Sequence, residues 1–533
     1  MCLFHPDVYS FAIMQTSRFT GNNICTYFNS FGVFNNDMRT VNTPGLTWHC
    51  NPAETYCFTS GLNLCAYVNG GFGMFACSYR GELAPGYIND SLFITNSDFK
   101  IYKVSSYDNT WTNPDYANWY KMIPYGAPYE DINNNCIYET GIDKPGVPES
   151  AQTIFVCMTD MDVDNHNIGE GFGGGVVDPL LIAEVRLTSW GYNISLPDIL
   201  YLRYEIINKN KYSWDSTYFG MYCDPDIMYS QSNAGEFIGC DTNRNLGFAY
   251  SADSVNTFGA YGMRLLRGPV NRLTGDTLYM TSFTHSRLFG GACEWEVGGI
   301  PFGAYNYMRG YKMDKTPYMN PAFNPPVRTK YVFSGDPELN TGWTRKKGYI
   351  YNCGGNDTGL YVPQVYGGDK RFHLNTGADN LRIFPNDTQR IYFAQMIALG
   401  SSNENSVTQV KRLSDIADIV FIKDIEKKLY NCMSAPMPRD FTISQNYPNP
   451  FNNSTIIQYT VPGTSYIKIV IYDLLGREIS RPVDGQVPAG FHEVNFNAAN
   501  LSSGVYFYRM IVVDNSVSSA VKPGKFQKMV VIK

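Results

Sequence analysis

Along most of the chain, the alternation of apolar and polar positions predicts short β-strands separated by turns. Between residues 55 and 79, apolar runs are interrupted at Ser60-Gly61 and at Asn69-Gly70-Gly71, which is typical of an antiparallel meander. Residues 230–303 are rich in Gly, Asn and aromatics, and their pattern indicates irregular structure. Other strand-like runs lie at residues 93–102, 153–157, 180–190, 200–208, 218–222 and 390–399. The sequence therefore predicts an all-β fold, with a large antiparallel β-sandwich-type body and long ordered loops.

One segment has the periodicity of a helix. After Ser406, apolar residues recur at three- and four-residue spacings, at Val407, Val410, Leu413, Ala417, Val420, Phe421, Ile425 and Leu429. This pattern predicts an amphipathic helix over residues 406–430, with Ser406 as its N-cap and one face packed on the body. Lys427 and Lys428 fall in the last turn, where positive charge favours the negative end of the helix dipole. The proline-containing stretch 431–444 is predicted to be a linker.

The end of the chain has a second set of alternating apolar positions, which predicts a separate small domain. Pro448 and Pro450 cannot donate to a sheet ladder, so we expect them to lie in an irregular entry segment. The strand-like runs lie at residues 455–461, 467–471, 494–496, 505–507 and 529–532. The pattern predicts a small antiparallel sandwich over residues 445–533.

Four sequence motifs follow one another in this tail. They read NYPNPFN at 446–452, IKIVIYDLLGR at 467–477, AGFH at 489–492 and LSSGVYFY at 501–508. In this order they resemble the type A C-terminal sorting domain of cargo proteins of the type IX secretion system in Bacteroidetes-like bacteria. The tail departs from the family at Asn453, where Pro is usual, at Phe496, where Trp is frequent, and in the loop 514–524. The resemblance implies a small immunoglobulin-like β-sandwich.

The resemblance also implies how the chain is exported and processed. The type IX translocon and a sortase-like peptidase would act through residues 445–533, and the peptidase would remove this domain after passage through the outer membrane. We expect the product to end between residues 431 and 441 and to be secreted or held at the outer cell surface. Export by this route requires a signal peptide, but residues 1–17 contain no Lys or Arg and no clear apolar core. We therefore expect a truncated or downstream start, with residues 1–16 as a remnant ahead of the body at 17–430.

Composition and charge narrow the range of partners. The 533 residues carry a net charge of −6 and no basic run, which argues against nucleic acid and anionic membranes as partners. No apolar run approaches the ~18 residues that a membrane span needs, so no transmembrane segment is predicted. Three short segments of the body resemble segments of large secreted proteins with the same tail, and they lie at residues 58–62, 169–175 and 239–242. Those proteins have no assigned activity.

The thirteen cysteines form no Cys-x-x-Cys pair and no zinc spacing. Cys65 and Cys77 flank the Asn69-Gly70-Gly71 turn signal and could face each other across a hairpin. In an exported protein such a pair could be oxidised, whereas scattered small core residues explain most of the cysteines. The sequence does not determine their connectivity.

The spacing of oxygen-bearing side chains after residue 130 predicts a calcium site. Calcium loops supply side-chain oxygens at positions 1, 3 and 5 and a backbone carbonyl at position 7. Cys136 and Ile142 stand at positions 6 and 12, which excludes a standard EF-hand. The alternative is an Asn-rich surface turn within the aperiodic segment 111–150. We predict this segment to be either a long ordered loop or a seam between two β units. The predicted calcium ligands are Asp131, Asn133, Asn135, Ile137 and Asp143.

Two other acidic groups are candidates for the same chemistry. Asp224 and Asp226, with Asp241 further along, form a second possible calcium group, for which a solvated acidic turn is an equally good interpretation. The third group has the one-three-five spacing but is better explained as a solvated turn, and it consists of Asp160, Asp162 and Asp164.

Sequence motifs of catalysis are weak. Neither His-Glu-x-x-His nor Gly-x-Ser-x-Gly occurs, and the glycine pattern at 169–175 precedes a strand-like run, so it predicts a β loop rather than a dinucleotide site. Glu294 and Glu296 flank Trp295 as a glycosidase pair could, but an exposed acidic strand face is the preferred interpretation. Trp111 and Trp119 could stack on sugars, although core packing explains most of the aromatic content.

Two interpretations of the body follow from these observations. The first is a secreted or surface protein without catalytic activity, structural, adhesive or binding, with calcium as a stabilising cofactor. The alternative is a secreted hydrolase or carbohydrate-binding protein that acts on extracellular polymers. A clustered pocket that holds two carboxylates of raised pKa would favour the alternative, and a flat, Tyr-rich surface without such a pocket would favour the first.

Overall fold

The computed structural model of the chain describes residues 14–37, 45–89, 91–136, 138–166, 171–175, 178–228, 235–287, 293–296, 298–353, 360–363, 367–422, 441–461, 465–487, 490–513, 521–523 and 526–533. Residues 1–429 and 430–533 form two compact units, the body and the tail. Both are built mainly from antiparallel strands, which confirms the predicted all-β class. Within the described ranges, every helix is too short or too polar to span a lipid bilayer.

The body contains small helices among many strands. Its helices are α1 Pro114–Ala117, α2 Pro301–Met308 and α3 Asn403–Val420. Its first strands are β1 Thr16–Phe19, β2 Ile24–Asn29, β3 Val33–Phe34, β4 Leu46–Trp48, β5 Thr55–Val68, β6 Gly71–Phe75, β7 Ala84–Pro85, β8 Tyr87–Asn89, β9 Leu92–Ile94, β10 Tyr102–Ser105, β11 Tyr129–Glu130, β12 Lys144–Pro145 and β13 Gln152–Thr159. Its remaining strands are β14 Ala183–Gly191, β15 Ile199–Asn208, β16 Trp214–Pro225, β17 Glu236–Asp241, β18 Leu246–Ser251, β19 Ala260–Arg267, β20 Ser282–Arg287, β21 Tyr318–Asn320, β22 Val327–Thr329, β23 Tyr349–Tyr351, β24 Leu360–Val362, β25 Lys370–Gly377 and β26 Thr388–Ala398.

Two large sheets form the core of the body. The first has the strand order β1-β2-β3-β5-β16-β25-β20, with β4 beside β2 and β5 and with β6 beside β5. The second has the order β10-β13-β14-β15-β26-β19-β18-β17, with β7 beside β13. Leu62 and Phe219 of the first sheet share one buried hydrophobic core with Leu202 and Phe393 of the second. The two sheets therefore form the predicted β-sandwich.

The turn signals in the first sheet give one confirmed and one wrong prediction. Asn69 and Gly70 have positive φ values of 49° and 84° and connect β5 to β6, as the hairpin pattern predicts. Ser60-Gly61 is not a turn, because β5 runs through it without interruption. A Cβ on Gly61 would lie 1.8 Å from the carbonyl oxygen of Cys77. Glycine is required there by the close approach of another backbone, not by a reversal of the chain.

Two other secondary-structure predictions are wrong. Residues 230–303 contain β17, β18, β19 and β20 in their described parts, although their composition indicates irregular structure. The run at 93–102 is not one strand, because a turn with a hydrogen bond from the Phe99 amide to the Asn96 carbonyl separates β9 from β10. The other predicted runs in the body correspond to strands β13, β14, β15, β16 and β26.

Helix α3 begins four residues before the predicted N-terminus. Ser402 is the N-cap, since its Oγ accepts a hydrogen bond from the Asn405 amide at 3.0 Å. The predicted cap, Ser406, lies inside the helix, where its buried Oγ donates to the carbonyl of Phe258. The predicted stripe is confirmed at the buried residues Val407, Val410, Ala417 and Phe421, while Leu413 and Val420 are partly buried. Ile425, Lys427, Lys428 and Leu429 lie outside the described residues.

The aperiodic segment 111–150 is an ordered layer against the second sheet. Trp119 is fully buried in a small core with Phe155 of β13, and its Nε1 donates to the carbonyl of Pro128 at 2.8 Å. Trp119 is therefore a core residue and not a sugar platform. Trp111, in contrast, is 95% exposed.

The tail consists of two facing sheets with their own core. Its strands are β27 Thr442–Ile443, β28 Ser454–Val461, β29 Ser465–Tyr472, β30 Glu478–Val487, β31 Gly490–Asn497, β32 Gly504–Val513, β33 Val521–Pro523 and β34 Gln527–Val531. One sheet has the order β27-β28-β31, and the other has the order β30-β29-β32-β33 with β34 beside β32. Ile457 and Ile469 are buried in the same core from opposite sheets. Pro448 and Pro450 lie outside the strands, as predicted.

Candidate functional site

The predicted calcium loop gathers its oxygen-bearing side chains around its own backbone. Asp131 accepts the amide of Asn135 at 3.3 Å with Oδ1 and that of Cys136 at 2.6 Å with Oδ2. Asp143, which is only 2% exposed, accepts the amides of Ile132 and Glu139 at 3.0 and 2.7 Å. The two carboxylates therefore fix both ends of the loop.

Glu139 is a member of this group that the sequence prediction missed. The Nδ2 atoms of Asn133 and Asn135 both donate to its Oε2, at 2.6 and 2.8 Å. Glu139 stands at position 9 of the loop, which is a recognised ligand position in calcium loops. This spacing could have predicted Glu139 from the sequence. Cys136 has a φ of 59°, so it makes the sharp turn for which EF-hand loops use Gly at position 6. Ile137 lies outside the described residues.

The second predicted acidic group does not assemble as one set. Asp241 pairs with Arg244 at 2.9 Å and lies 3.8 Å from Lys411, at the end of β17. Asp224 lies at the end of β16 and pairs with Arg371 at 3.2 Å. The charge of Arg371 also acts on Asp226, so Asp226 groups with Asp224, whereas Asp241 belongs to a different ion network.

Asp224 belongs instead to a buried cluster around one phenol oxygen. The Oη of Tyr79 lies 2.8 Å from Glu296 Oε1, 3.1 Å from Asp224 Oδ2 and 3.0 Å from the Tyr222 hydroxyl. Arg371 donates to the same oxygen from Nε and Nη2, at 3.2 and 3.1 Å. Tyr222 donates to Glu296 at 2.5 Å. Two carboxylates thus share one hydroxyl and one guanidinium, and we call these five residues the tyrosine–carboxylate cluster.

Strand register explains how distant residues form this cluster. Tyr222 and Asp224 lie on the same face of β16, and Cys223 between them pairs with Phe372 of β25, next to Arg371. Asp224 is 2% exposed and Glu296 is 8% exposed. The sequence alone gave no signal for Tyr79 or Arg371, because their partners lie more than a hundred residues away.

Burial controls the protonation of the acidic groups around the cluster. Burial raises the pKa of Asp224 well above its usual value, against the opposing effect of Arg371. Burial, together with the charge of Asp369, raises the pKa of Asp226 to about 7. Burial and then the charge of Asp226 raise the pKa of Glu236. Glu236, at the first residue of β17, therefore takes the place near Asp226 that the sequence assigned to Asp241.

Glu294 and Glu296 are not an exposed acidic face, which corrects the preferred sequence interpretation. Glu294 is 1% exposed and forms ion pairs with Arg287 and with Lys312, whose side chain is fully buried. Burial acts to raise the pKa of Glu294, but Lys312 and Arg287 outweigh it and hold the pKa below its usual value. Trp295 between them is the exposed residue, at 54%.

The cysteines pair differently from the predicted hairpin pair. Cys65 lies opposite Met74 in the β5–β6 ladder, and Cys77 contacts the Phe31 carbonyl, so the two do not face each other. Disulfides join Cys25 to Cys50 and Cys293 to Cys353.

The remaining motifs have structural roles in the described residues. Asp160 is buried and accepts the amides of Ile182 and Ala183 at 3.2 and 2.7 Å, so its interpretation as a solvated side chain is wrong. Asp162 caps the short turn that contains Asp164. The described part of the glycine-rich motif, residues 171–175, is a loop, in agreement with the rejection of a dinucleotide site.

Comparison with known proteins identifies the tail and leaves the body open. Residues 445–522 match the family model described as "Secretion system C-terminal sorting domain". A search of characterised proteins gives no significant match. Solved structures with some similarity include a polysaccharide lyase, at 8% identity and a TM-score of 0.15 over 66% of this chain and 34% of that chain.

A second solved structure is dimeric latent PorU from Porphyromonas gingivalis, at 10% identity and a TM-score of 0.16 over 77% of this chain and 33% of that chain. The chain thus spans about a third of the length of each of these proteins. The tail is a secretion system C-terminal sorting domain, which supports the identification of the chain as a cargo protein of the type IX secretion system.

Proposed function

We propose that the type IX system exports this chain to the medium or to the outer cell surface, where the body acts without catalysis as a calcium-stabilised structural, adhesive or binding protein. The calcium proposal is carried by the oxygen-bearing side chains of one loop. Asn133 and Asn135 both reach the carboxylate of Glu139. Asp131 and Asp143 bind backbone amides of the same loop. Calcium prefers such a set of carboxylate and amide oxygens. The sorting tail supports the extracellular location.

The amide groups of the loop suit a switch to cation binding. Asn133 and Asn135 currently direct Nδ2 at the carboxylate of Glu139. Rotation of each amide by half a turn would exchange nitrogen for oxygen and place two Oδ1 atoms beside that carboxylate. Three oxygens at such distances repel one another unless a cation lies between them. The exchange gives up the hydrogen bond that Asn133 Oδ1 accepts from the Asn135 amide at 3.2 Å, while that amide keeps its bond to Asp131 Oδ1 at 3.3 Å.

The buried state of the charged residues supports a body without catalysis. The carboxylates of Asp224 and Glu296 contact protein groups and are almost entirely buried. His373 is fully buried, and burial followed by the charge of Arg371 lowers its pKa to about 3. Because these groups are buried, a role in the stability of the sandwich fits them better than a reaction with a large substrate.

Calcium binding is tested by thermal melting of the full chain with calcium and with chelator. We expect calcium to raise the melting temperature, because a ligand at a hundred times its Kd stabilises the folded state by about 2.7 kcal/mol. Asp131→Asn should remove this response. Asp276→Asn, on an exposed turn elsewhere in the body, is the matched control and should keep it. Identical melting with and without chelator would contradict the proposal.

A surface aromatic pair supports binding of an extracellular polymer. Trp111 and Tyr107 are 95% and 80% exposed. Asn109 fixes the turn between them, since its Oδ1 accepts the amides of Trp111 and Thr112 at 2.9 and 3.1 Å. Flat aromatic groups on a rigid turn suit stacking on a sugar ring. Affinity electrophoresis in soluble polysaccharides should show retardation that Trp111→Ala removes and Tyr212→Ala preserves.

A secreted hydrolase that acts on extracellular polymers is the second candidate. The raised pKa values of Asp224 and Asp226 favour it, because a carboxyl that keeps its proton near neutral pH can act as a general acid. Among the described residues, Asp224 Oδ1 also has no hydrogen-bond partner. Release of reducing ends from a polysaccharide panel tests this candidate. Asp226→Asn should abolish any activity, and no turnover by the wild type would remove the candidate.

A further inference from the structure

The hairpin between β29 and β30 presents two adjacent leucines to solvent. Leu474 is 70% exposed and Leu475 is 77% exposed. Every other exposed large apolar side chain described in the tail is at most 56% exposed, the value of Phe526. Isolated exposed apolar residues are common, but two neighbouring leucines at the tip of a hairpin form a contiguous apolar projection. We call these two residues the leucine tip.

The turn that carries the leucine tip is held by its own hydrogen bonds. The Oδ1 of Asp473 accepts the amides of Leu475 and Arg477, both at 2.9 Å. The Asp473 amide donates to the Arg477 carbonyl, and the Gly476 amide donates to the Asp473 carbonyl, both at 3.0 Å. Gly476 supplies the positive φ of 75° that the turn needs. None of these bonds uses a leucine side chain, so a polar residue at 474 or 475 would make the same turn.

The charged residues near the tip are paired with one another. Arg477 pairs with Asp473 at 2.7 Å, and Arg481 pairs with Glu478 and Asp484 at 2.9 and 2.8 Å. Lys468 lies 3.8 Å from Asp484 as well, so three cationic and three acidic side chains balance and the region has no net charge. Contact at this tip would be made by apolar side chains and would depend little on salt.

We propose that the leucine tip is a docking element that inserts into an apolar pocket of the type IX export machinery. This proposal rests on the assignment of the chain as cargo. The tip lies inside residues 445–522, which match a secretion system sorting domain, and such a domain must contact the secretion machinery. A rigid apolar projection fits a preformed pocket, because little conformational entropy is lost when it binds.

Export of the full chain by a bacterium with a functional type IX system tests the proposal. We expect Leu474→Ser with Leu475→Ser to reduce the exported fraction at least about tenfold, since both side chains lose the gain from burial. The chain should then accumulate in the periplasm with its tail attached. Leu474→Met with Leu475→Met keeps the apolar surface and should preserve export.

Controls separate docking from folding. Ile479→Ser with Ile532→Ser removes two other exposed apolar side chains of the tail, at 40% and 55% exposure, and should leave export unchanged. The purified serine variant of the tip should melt at the wild-type temperature. The proposal would be overturned if the tip variant and the Ile479→Ser, Ile532→Ser variant both melted at a lower temperature and both lost export. That result would show a folding defect.

Other results would also overturn the docking role. Normal export of the tip serine variant would do so directly. A wild-type dimer that the variant dissolves would show instead that a second copy covers the tip, and vesicle binding lost by the variant would show a lipid surface. Deletion of residues 445–533 distinguishes failure of the docking proposal from failure of the cargo assignment. Normal export of the chain without these residues would contradict the cargo assignment itself.

Discussion

Replacement of Glu294 by Gln should cost the body about 3–5 kcal/mol of unfolding free energy, as expected when one partner of a buried ion pair is removed. Glu294 is 1% exposed and faces two cationic groups, Arg287 and Lys312. The ammonium of Lys312 lies 2.9 Å from its carboxylate and has a fully buried side chain. A neutral amide would remove the negative charge that faces these two groups in a mostly buried site. Such a loss is a large fraction of the 5–15 kcal/mol that stabilises a typical domain.

The assay is urea unfolding of the full chain at pH 7, followed by tryptophan fluorescence. All seven tryptophans lie in the body, so the signal reports the unfolding of this unit and not of the tail. The matched control is Glu130→Gln, whose ion pair with Lys144 is exposed and 3.4 Å long, and which should cost less than about 1 kcal/mol. A cost for Glu294→Gln no larger than that of this control would refute the reasoning.

The pH dependence gives the same prediction an independent check. The folded-state pKa of Glu294 is lowered, so the stability from its ionised form is present above the unfolded-state pKa of about 4.3 and is lost as the pH falls through the lower folded-state value. The difference between wild type and Glu294→Gln should therefore be complete at pH 7 and decrease below about pH 4. Lys312→Met combined with Glu294→Gln should recover part of the loss, since the ammonium that faces residue 294 is then absent.

Three further predictions concern other parts of the chain. Asp226→Asn, measured with chelator, should stabilise the body by roughly 1–2 kcal/mol at pH 8 and by less at pH 5. The folded-state pKa of Asp226 is raised to about 7, so ionisation of this carboxyl costs stability as the pH rises. An equal effect at both pH values would contradict this. Val410→Ala should cost about 2 kcal/mol in urea unfolding, whereas Ile419→Ala, on the exposed side of α3, should change stability by less than about 0.5 kcal/mol. Mass spectrometry of the exported product should give a C-terminus between residues 431 and 441, and an extracellular product that retains Lys533 would argue against processing.

Sequence periodicity predicted those elements whose buried face is formed by residues at regular spacing along the element itself. Helix α3 is an example, since Val407, Val410 and Ala417 form the buried side that their spacing indicates. The N-cap was displaced by four residues because Ser402 and Ser406 both have a suitable hydroxyl. In the structure the Ser406 hydroxyl donates to the carbonyl of Phe258, a partner from a distant part of the chain that helical spacing does not show.

Glycine-rich strands show why composition misled the prediction for residues 230–303. Gly262 lies in the middle of β19, where glycine lowers strand propensity. A Cβ at this position would lie 2.5 Å from Cγ1 of Val410, so the glycine admits helix α3 against the sheet. Glycine is therefore required at this position by a tertiary contact. Propensities of the residues next to it in the sequence do not report such a contact. In the tail, β30 was missed because most of its residues face solvent and include Pro482 and Gly485.

The acidic group at Asp224 shows the same limit for sites, and it yields a last prediction. Sequence spacing joined Asp241 to Asp224 and Asp226, but β17 extends from Glu236 to Asp241, so these two side chains lie about 17 Å apart along the strand. Glu236, at the other end of the strand, pairs with Gly368 and accepts the Lys370 amide at 2.7 Å. The charge of Asp226 contributes to the raised pKa of Glu236. If this group binds calcium, Glu236→Gln should weaken that binding in a calorimetric titration, and Asp241→Asn should leave it unchanged. The opposite result would show that Asp241 reaches this group in solution.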